Sequence, residues 1–326
     1  MFSAPDFSKK QVVFVFFNEG DKIAFSNDNL IVKDINGKVK FQCTCYRLFI
    51  VFAIGHVSVT SVILQKAQKF GFFIALMTPG FRMYSMIGAV KEGNTLLHRK
   101  QYEYKGLDIA KRIIENKIRN QTDELKLVRN KSDAVREAII RMDEYASMIP
   151  KTESLNELMA FEGLAAKLYF RNHFNNVLWK GRQPRIKRDY VNSTLDIGYT
   201  LLFTFIDALL SSYGFDTYCG VMHTQFYMRK SLVCDLVEPF RVLVEHEVKK
   251  AINLKQVKED DFLVINNQYK LKWSESARYV KILMTPIIEN KEGIFEYIQA
   301  YYRAFMKEKE GKDFPSFENG VHYGNY

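Results

Sequence analysis

Short apolar runs separated by turn residues fill the first hundred positions, a pattern typical of β-strands joined by tight turns. The run at 11–17 ends at Asn18-Glu19-Gly20-Asp21, and Asn36-Gly37 predicts a hairpin between 31–34 and 39–41. The runs at 48–54 and 72–77 are continuously apolar, which predicts strands covered on both faces. A helix at 58–70 before Gly71 separates these two strands.

After Gly106 the apolar spacing becomes helical. Pro150, Gly214 and a Ser-x-x-Glu capping signature at Ser154 divide this part of the chain into helices. The predicted helices cover 107–129, 133–148, 154–174, 192–213, 231–238, 242–253 and 274–305. The sequence therefore predicts an α+β protein, with a β-rich domain at 1–100, a helical domain at 101–326 and a mobile tail after Glu310.

Composition excludes several classes of protein. The hydrophobic content is 47% and the mean hydropathy is −0.19, as in a folded chain. The longest apolar region, at 197–210, is interrupted by Asp207 and is shorter than the roughly 20 residues that a membrane span needs. The N-terminus resembles no signal peptide, so we expect a cytosolic protein. The cysteines form no Cys-x-x-Cys pair, which argues against a zinc ribbon.

Charge is the first pointer to a partner. The chain carries 47 basic and 37 acidic residues and has a pI near 9.2, which is compatible with nucleic-acid binding. The densest basic segment is 171–190, where six Lys or Arg residues accompany Asp189 alone. Its basic residues are Arg171, Lys180, Arg182, Arg185, Lys187 and Arg188.

Glu162 is the most informative single residue. On the helix that begins near Ser154 it falls in the middle of an apolar stripe formed by Leu155, Leu158, Met159, Ala165, Ala166 and Tyr169. A carboxylate directed into a core is costly unless it is paired or bound to a cation. A buried salt bridge to Lys or Arg is one explanation, and a metal site is the other.

A second constellation lies between 214 and 241. His223 is followed by Asp235 and Glu238, whose spacing of three residues gives them one helical face within an apolar neighbourhood. Pro239 must kink that helix or begin a new one. Taken alone, a single His is usually structural and such an acidic pair is usually solvated. Together with Glu162 they form an oxygen-rich set with one nitrogen, which suits Mg²⁺ or Mn²⁺ better than structural zinc.

At these residues the chain resembles a known family. Leu158-Met159-Ala160-Phe161-Glu162-Gly163, followed by Ala165, Ala166, Tyr169 and Phe170, is similar to a segment of the CRISPR-associated spacer-acquisition integrases, the first Cas protein. The segments at 191–202, 214–223 and 231–241 resemble the following motifs of that family, in the same order. The resemblance covers about 155–241, and the β-rich region carries no diagnostic motif.

The resemblance implies a β-sandwich-like N-terminal domain that dimerises and an all-helical catalytic domain. It also implies a metal-dependent DNA endonuclease and integrase that inserts short DNA fragments into a CRISPR array. Glu162, His223 and Glu238 correspond to the family's metal ligands, and Asp235 to a supporting acidic position. Thr217, Cys219, Met222 and Lys230 depart from the family pattern without removing a ligand.

The implied reaction is attack of a DNA 3′-hydroxyl on a phosphodiester, which needs no Ser or Cys nucleophile. Beside such a site, Lys167, Arg171 and the basic residues of 180–188 are expected to hold the DNA backbone. Double-stranded DNA, a second copy of the chain and the small second Cas protein are the implied partners. Two alternatives remain open at this point, a DNA-binding scaffold without catalysis and a stand-alone metal nuclease for branched nucleic acids.

Overall fold

The computed structural model describes residues 3–91, 93–175, 179, 181–223 and 227–318. Its strands are β1 (Gln11–Phe17), β2 (Lys22–Ser26), β3 (Asn29–Lys33), β4 (Val39–Thr44), β5 (Leu48–Gly55), β6 (Phe73–Met77), β7 (Met83–Gly88), β8 (Phe262–Ile265) and β9 (Gln268–Leu271). Its helices are α1 (Ala4–Ser8), α2 (Ser61–Phe70), α3 (Thr95–Glu103), α4 (Asp108–Lys126), α5 (Asp133–Met148), α6 (Leu155–His173), α7 (Tyr190–Tyr213), α8 (Ser231–Val237), α9 (Arg241–Asn253), α10 (Ser276–Glu289) and α11 (Lys291–Met306). A strand-rich N-terminal part and a helical C-terminal part confirm the predicted α+β class.

The N-terminal strands form two sheets. One has the order β1-β5-β6-β7, in which β1, β5 and β6 are parallel and β7 is antiparallel. The other is the antiparallel meander β2-β3-β4, and its second hairpin turns at Gly37, whose φ of 80° favours glycine. Parallel neighbours need a crossover connection, and here the meander joins β1 to β5 while α2 joins β5 to β6.

Strand β5 is buried along its whole length, on both of its faces. Val51 and Ala53 belong to a core that includes residues of the meander and of α2. Phe49 and Phe52 belong to a second core shared with α7, where the Phe49 and Phe205 rings are 5.7 Å apart. The two sheets therefore share a core with α2, and this arrangement does not by itself establish the predicted β-sandwich.

The apolar helix predicted at 192–213 is α7, the core helix of the C-terminal part. Asp189 caps its first turn, and Gly214 with a φ of 82° ends it. Among the described helices it alone is long and apolar enough to cross a membrane, and 83% of that window is buried inside the protein. Its apolar residues thus pack against β5 and other helices.

Three expectations about the C-terminal part need correction or remain open. The predicted all-helical domain contains the hairpin β8–β9, whose turn residues Asn266 and Asn267 have φ of 52° and 59°. The helix predicted at 274–305 is two helices, because the chain leaves the helical conformation at Asn290, where φ is −98° and ψ is 9°. The Asn290 side-chain amide donates to the Pro286 carbonyl at this break. The predicted domain boundary at 100/101 falls inside α3 and stays a prediction.

The tail after Glu310 is packed as far as the structure describes it, and the mobility predicted for it stays a prediction. Phe314 and Phe317 are buried. The Asn116 side chain donates to the Phe317 carbonyl and accepts from the Phe317 amide, both at 2.8 Å. Residues 319–326 lie outside the described part of the chain.

We predict that Gly198→Ala destabilises the protein by about 1–3 kcal/mol, the usual cost of overpacking. A Cβ atom at Gly198 would lie 2.4 Å from Val244 Cγ1 on α9, within the core. Gly163 on α6 is the matched control, since a Cβ there would have no neighbour within 4 Å. Gly163→Ala should stabilise by about 0.5–1 kcal/mol. Urea unfolding of both variants and of Gly198→Ala/Val244→Ala checks this, and equal effects at the two glycines would contradict it.

Candidate active site

Four elements bring the candidate residues together. Glu162 lies on α6, and Glu238 begins the 3₁₀ turn Glu238–Phe240 between α8 and α9. His223 precedes α8, on which Asp235 is buried. Pro239, which the sequence allowed to kink a helix or open a new one, lies inside this 3₁₀ turn, directly before α9. Lys117 of α4, which we did not single out from the sequence, completes the group.

Helix α6 places Glu162 at the edge of the core. Ser154 caps the helix as predicted, and Leu158, Ala165 and Tyr169 are fully buried. The Glu162 side chain is 18% exposed, and Met159, which we expected on the same buried face, is exposed. Glu162 is therefore reachable from solvent, as a site that acts on a macromolecule requires.

Asp235 organises the segment that carries His223. Its carboxylate accepts hydrogen bonds from the backbone amides of Val221, Met222 and His223 at 2.7–3.1 Å. It also lies 2.6 Å from Nδ1 of the His223 ring. Gly220 lets the backbone pass this close, because a Cβ there would lie 2.6 Å from the Asp235 carboxylate. With Nδ1–H donated to Asp235, Nε2 is the ring nitrogen through which His223 would act on a ligand.

Lys117 joins the two glutamates. Its buried ammonium donates a hydrogen bond to Glu162 and lies 2.6 Å from Glu238 Oε2. Burial lowers the pKa of Lys117, but the charges of Glu238 and Glu162 outweigh this and raise it, so the ammonium stays charged at neutral pH. The sequence left a buried salt bridge open as one explanation for Glu162, and the structure contains that salt bridge.

Glu238 is the more deeply buried carboxylate. Besides Lys117 it pairs with Arg241, one turn along the chain, at 3.0 Å. Burial raises the pKa of Glu238, but the charges of Arg241, Lys117 and His223 together bring it below its ordinary value. Glu238 is therefore ionised at neutral pH.

The donor set suits a divalent cation of the magnesium type. Two carboxylates and one imidazole nitrogen are ligands that Mg²⁺ and, more readily, Mn²⁺ accept. Across the described residues, no three acidic, His or Cys side chains are already arranged as a metal cage. At the candidate site, the Lys117 ammonium lies between the two glutamates. A cation bound by Glu162 and Glu238 would replace that ammonium as their partner.

A groove of about 750 Å³ begins one turn beyond Glu162 on the same helix. Phe170, Phe174 and Trp179 line its wall, with the Phe174 and Trp179 rings 4.8 Å apart. Lys167 and Arg171 are exposed at its rim. Proteins that bind single-stranded nucleic acids combine basic side chains, which pair with phosphates, with aromatic side chains, on which bases stack.

The basic residues predicted to bind DNA differ in their surroundings. Arg182 lines the groove but is held by Asp196 at 2.6 Å and by Asn192 at 3.0 Å. Arg185 and Arg188 are exposed, and Lys187 is half-buried beside β9, where its carbonyl accepts from the Tyr269 amide. Lys180 lies outside the described residues. Lys167 and Arg171 are thus the rim residues that the groove leaves exposed.

A second set of polar groups, which sequence reasoning missed, supports the site from the core. Glu245 on α9 accepts hydrogen bonds from Tyr199 at 2.7 Å and from Gln121 at 3.3 Å. Burial raises the pKa of Glu245 above its ordinary value, and the hydrogen bond from Tyr199 offsets only part of this increase. Asn120 donates to the Pro239 carbonyl at 2.9 Å. These contacts fix α4 against the turn that carries Glu238.

Comparison with known proteins decides the family. The sequence profile described as "CRISPR associated protein Cas1" matches residues 14–283, most of the chain. The chain belongs to the Cas1 family. It is 30% identical over 226 residues to a "CRISPR-associated endonuclease Cas1 1" of Thermodesulfovibrio yellowstonii, covering 65% of this chain and 71% of that one. It is 26% identical over 280 residues to a Cas1 endonuclease of Francisella tularensis subsp. novicida, covering 82% and 83%.

Solved structures agree on the Cas1 fold. A Cas1 protein of Thermotoga maritima superposes with a TM-score of 0.78 at 18% identity, covering 91% of this chain and 97% of that one. A casposase bound to integration product gives 0.77 at 19% identity, with 96% of each chain covered. A chain of a Cas6-RT-Cas1–Cas2 complex gives a TM-score of 0.80 at 21% identity. That superposition covers 95% of this chain and 36% of the longer chain.

For this Cas1-family chain we predict that Asp235→Asn loosens the His223 segment. The amide cannot accept all the hydrogen bonds that the carboxylate accepts from three backbone amides and the imidazole. Losing charge-assisted bonds in a buried place should cost about 3 kcal/mol. Thermal unfolding measures the loss, and ¹⁵N NMR of the His223 ring reports whether Nδ1 still carries the proton.

Asp216→Asn is the control for this prediction. Asp216 lies in the same segment, but its carboxylate contacts the partly exposed Tyr102 hydroxyl and the Tyr218 amide near the surface. Its replacement should cost less than about 1 kcal/mol, as expected for a site open to water. An Asp235→Asn variant as stable as the Asp216→Asn variant, with an unchanged His223 tautomer, would contradict the role given to Asp235.

Proposed function

We propose that this protein is a metal-dependent DNA endonuclease and integrase that joins short DNA fragments to a CRISPR repeat. One observation carries the proposal. Glu162 and Glu238 come from separate parts of the chain, yet both meet the Lys117 ammonium, and the helix that carries Glu162 also lines a groove with basic and aromatic walls. His223, held by Asp235, precedes the helix that leads to Glu238. The names of the relatives, which include Cas1 endonucleases, and a casposase bound to integration product support it.

In this proposal, Glu162 and Glu238 would hold Mg²⁺ or Mn²⁺, and Nε2 of His223 would be the third ligand. A cation there supplies Lewis-acid polarisation of the scissile phosphodiester, a lower pKa for the attacking hydroxyl and compensation of transition-state charge. Asp235 acts through His223, because its hydrogen bond to Nδ1 sets the tautomer and the orientation of the ring. Asp235 is therefore a positioning residue.

The chain itself supplies no nucleophile in the proposed reaction. The 3′-hydroxyl of the incoming strand attacks phosphorus in line with the departing 3′-oxygen, and one phosphodiester replaces another. His223 either binds the cation or donates a proton to the departing oxygen, and both roles use Nε2. The partial burial of the site limits attack by water, which would turn joining into cleavage.

The groove offers the place for a DNA strand that leads to the site. Lys167 and Arg171 would pair with phosphates, and Trp179 and Phe170, which line the groove, would stack on bases. Phosphate contacts of this kind position a strand without reading its sequence. Arg182, Arg185, Lys187, Arg188 and Lys180 would extend the basic surface along the same segment, with Arg182 already engaged by Asp196.

Partners and location complete the proposal. Double-stranded DNA, a second copy of this chain and the small second Cas protein form the proposed complex, which works in the cytoplasm. Solved neighbours named as Cas1–Cas2 complexes support the protein partner. Exposed apolar side chains on and near α2 support a surface for the second copy, namely Tyr46, Val59, Val62 and Leu64.

A scaffold that binds DNA without cutting it is the second candidate function. It is favoured by the Lys117 ammonium, which compensates the charges of Glu162 and Glu238 without any metal. In a scaffold these three residues would serve stability alone. The two candidates differ in what neutralising Glu162 does.

We predict that Glu162→Gln folds and abolishes strand transfer. The amide keeps the shape of the side chain but removes the charge that attracts a divalent cation. Strand transfer on a branched DNA substrate should fall by more than the roughly 10–100-fold that losing an outer-shell partner of a metal ligand costs, and Mn²⁺ should no longer raise the melting temperature. Glu157→Gln on the same helix is the control and should behave like wild type.

The scaffold function makes the opposite forecast for Glu162→Gln. Breaking a buried ion pair costs about 3–5 kcal/mol, less here because Glu162 is partly exposed. A variant that melts much lower without metal, yet transfers strands fully when folded, would overturn the metal-ligand role. A wild-type protein that binds branched DNA in Mn²⁺ and neither joins nor cleaves it would favour the scaffold.

We predict that Arg171→Ala weakens DNA binding without regard to sequence. Arg171 lies at the groove rim, and the loss of one phosphate contact should lower the slope of log affinity against log salt by about 1. Fluorescence anisotropy with two unrelated DNA sequences at several salt concentrations measures it. Arg141→Ala on α5, an exposed Arg paired with Glu137, is the control. Equal salt slopes for the two variants would show that Arg171 makes no phosphate contact with the bound DNA.

A further inference from the structure

Lys117 occupies a position that the proposed metal chemistry does not explain. Its ammonium contacts both Glu162 and Glu238, and its side chain is only 7% exposed. A lysine between two prospective metal ligands competes directly with the cation for them. The two carboxylates offset the cost of burying the ammonium, so a cation that takes them must leave Lys117 with another partner.

The backbone around Lys117 is held in place. Asn116, the preceding residue, bonds twice to the backbone of Phe317. Asn120, three residues on, donates to the carbonyl of Pro239, which directly follows Glu238. Because α4 is fixed to the segment that carries Glu238, Lys117 can leave the carboxylates only by rotating its own side chain.

Charge balance makes that rotation depend on DNA. Glu162 and Glu238 carry two negative charges, and Lys117 and Arg241 carry two positive ones. A divalent cation that took the two carboxylates would lie beside the Lys117 ammonium, and like charges close together in a partly buried place repel each other. A DNA phosphate brings negative charge and acceptor oxygens, and so gives the displaced ammonium a new partner.

We propose that Lys117 is an internal competitor of the divalent cation that couples metal binding to DNA binding. In the DNA-free protein it pairs the two carboxylates; with DNA present it turns to a non-bridging oxygen of the phosphodiester while the cation takes the carboxylates. This inference rests on the function proposed above. It adds that the site becomes fully loaded with metal only when a substrate is in place.

Linkage makes the coupling measurable from either side. If DNA raises the affinity for Mn²⁺ by some factor, Mn²⁺ raises the affinity for DNA by the same factor. Titration calorimetry or Mn²⁺ EPR gives the metal affinity with and without a branched DNA whose attacking strand ends in a 3′-deoxynucleotide, so that no joining occurs. We expect DNA to tighten Mn²⁺ binding to wild type by about tenfold or more, within the usual range of such couplings.

Lys117→Met removes the competitor. We expect this variant to bind Mn²⁺ about tenfold more tightly than wild type without DNA, and DNA to change its metal affinity less than about twofold. Mn²⁺ should also raise its melting temperature more than that of wild type, since the cation then replaces the missing charge. Lys111→Met on the same helix is the matched control and should keep the wild-type coupling.

Lys117→Gln serves as a second variant in case Lys117→Met does not fold, because the amide still donates to a carboxylate. Either folded variant that binds Mn²⁺ no more tightly than wild type, or that keeps the full coupling to DNA, overturns the competitor role. If wild type joins DNA with Mn²⁺, that failure concerns Lys117 alone. A wild type that neither binds Mn²⁺ nor joins DNA overturns the proposed function and this inference with it.

Discussion

Two glutamates that share one buried ammonium set the arrangement of the helical part. Glu162 and Glu238 come from elements far apart in the chain, and each would be costly to bury without Lys117 or Arg241. The pairing requires α4, α6 and the turn after α8 to meet at one point. The amide side chains of α4, which bond to the segments around Glu238 and Phe317, hold that meeting point in place.

The same ion pairs explain why one part of the site is fixed while another part can exchange its partner. An ion pair between flexible side chains can be exchanged for another cation, whereas the backbone contacts of Asp235 cannot be exchanged without loss. The His223 segment is therefore the fixed part of the site, and the Lys117 side chain is its adjustable part. Lys230 adds to the fixed part by pairing with the buried Asp207 of α7 at 2.6 Å.

Much of the fold could be read from hydrophobic periodicity, because long helices and fully buried strands leave strong patterns. The helix predicted at 133–148 is α5 with the same ends, and the capping signature at Ser154 marked the start of α6. His223, Asp235 and Glu238 could be grouped because local spacing and an apolar setting already made them unusual. Which residues they touch depends on contacts between distant segments, and a sequence pattern does not report these.

Lys117 shows where this limit lies. It stands one turn after Ile113, within the apolar stripe of α4, so its position carried a signal comparable to that of Glu162. The many charges on the rest of α4 concealed that signal, since a charged helix face is usually solvated. The hairpin β8–β9 was missed for a different reason: its two strands have four residues each, too short for an alternating pattern to stand out.

Strand β5 has a consequence for how the protein loses its structure. One of its faces belongs to the core of the N-terminal sheets and the other to the core built on α7. The two regions therefore cannot come apart without exposing the same strand to water, and opening either one withdraws support from the other. Amide protons of β5 should accordingly be among the slowest to exchange. A proteolytic cut that released the N-terminal region would leave an exposed apolar surface on the helices rather than an independent domain.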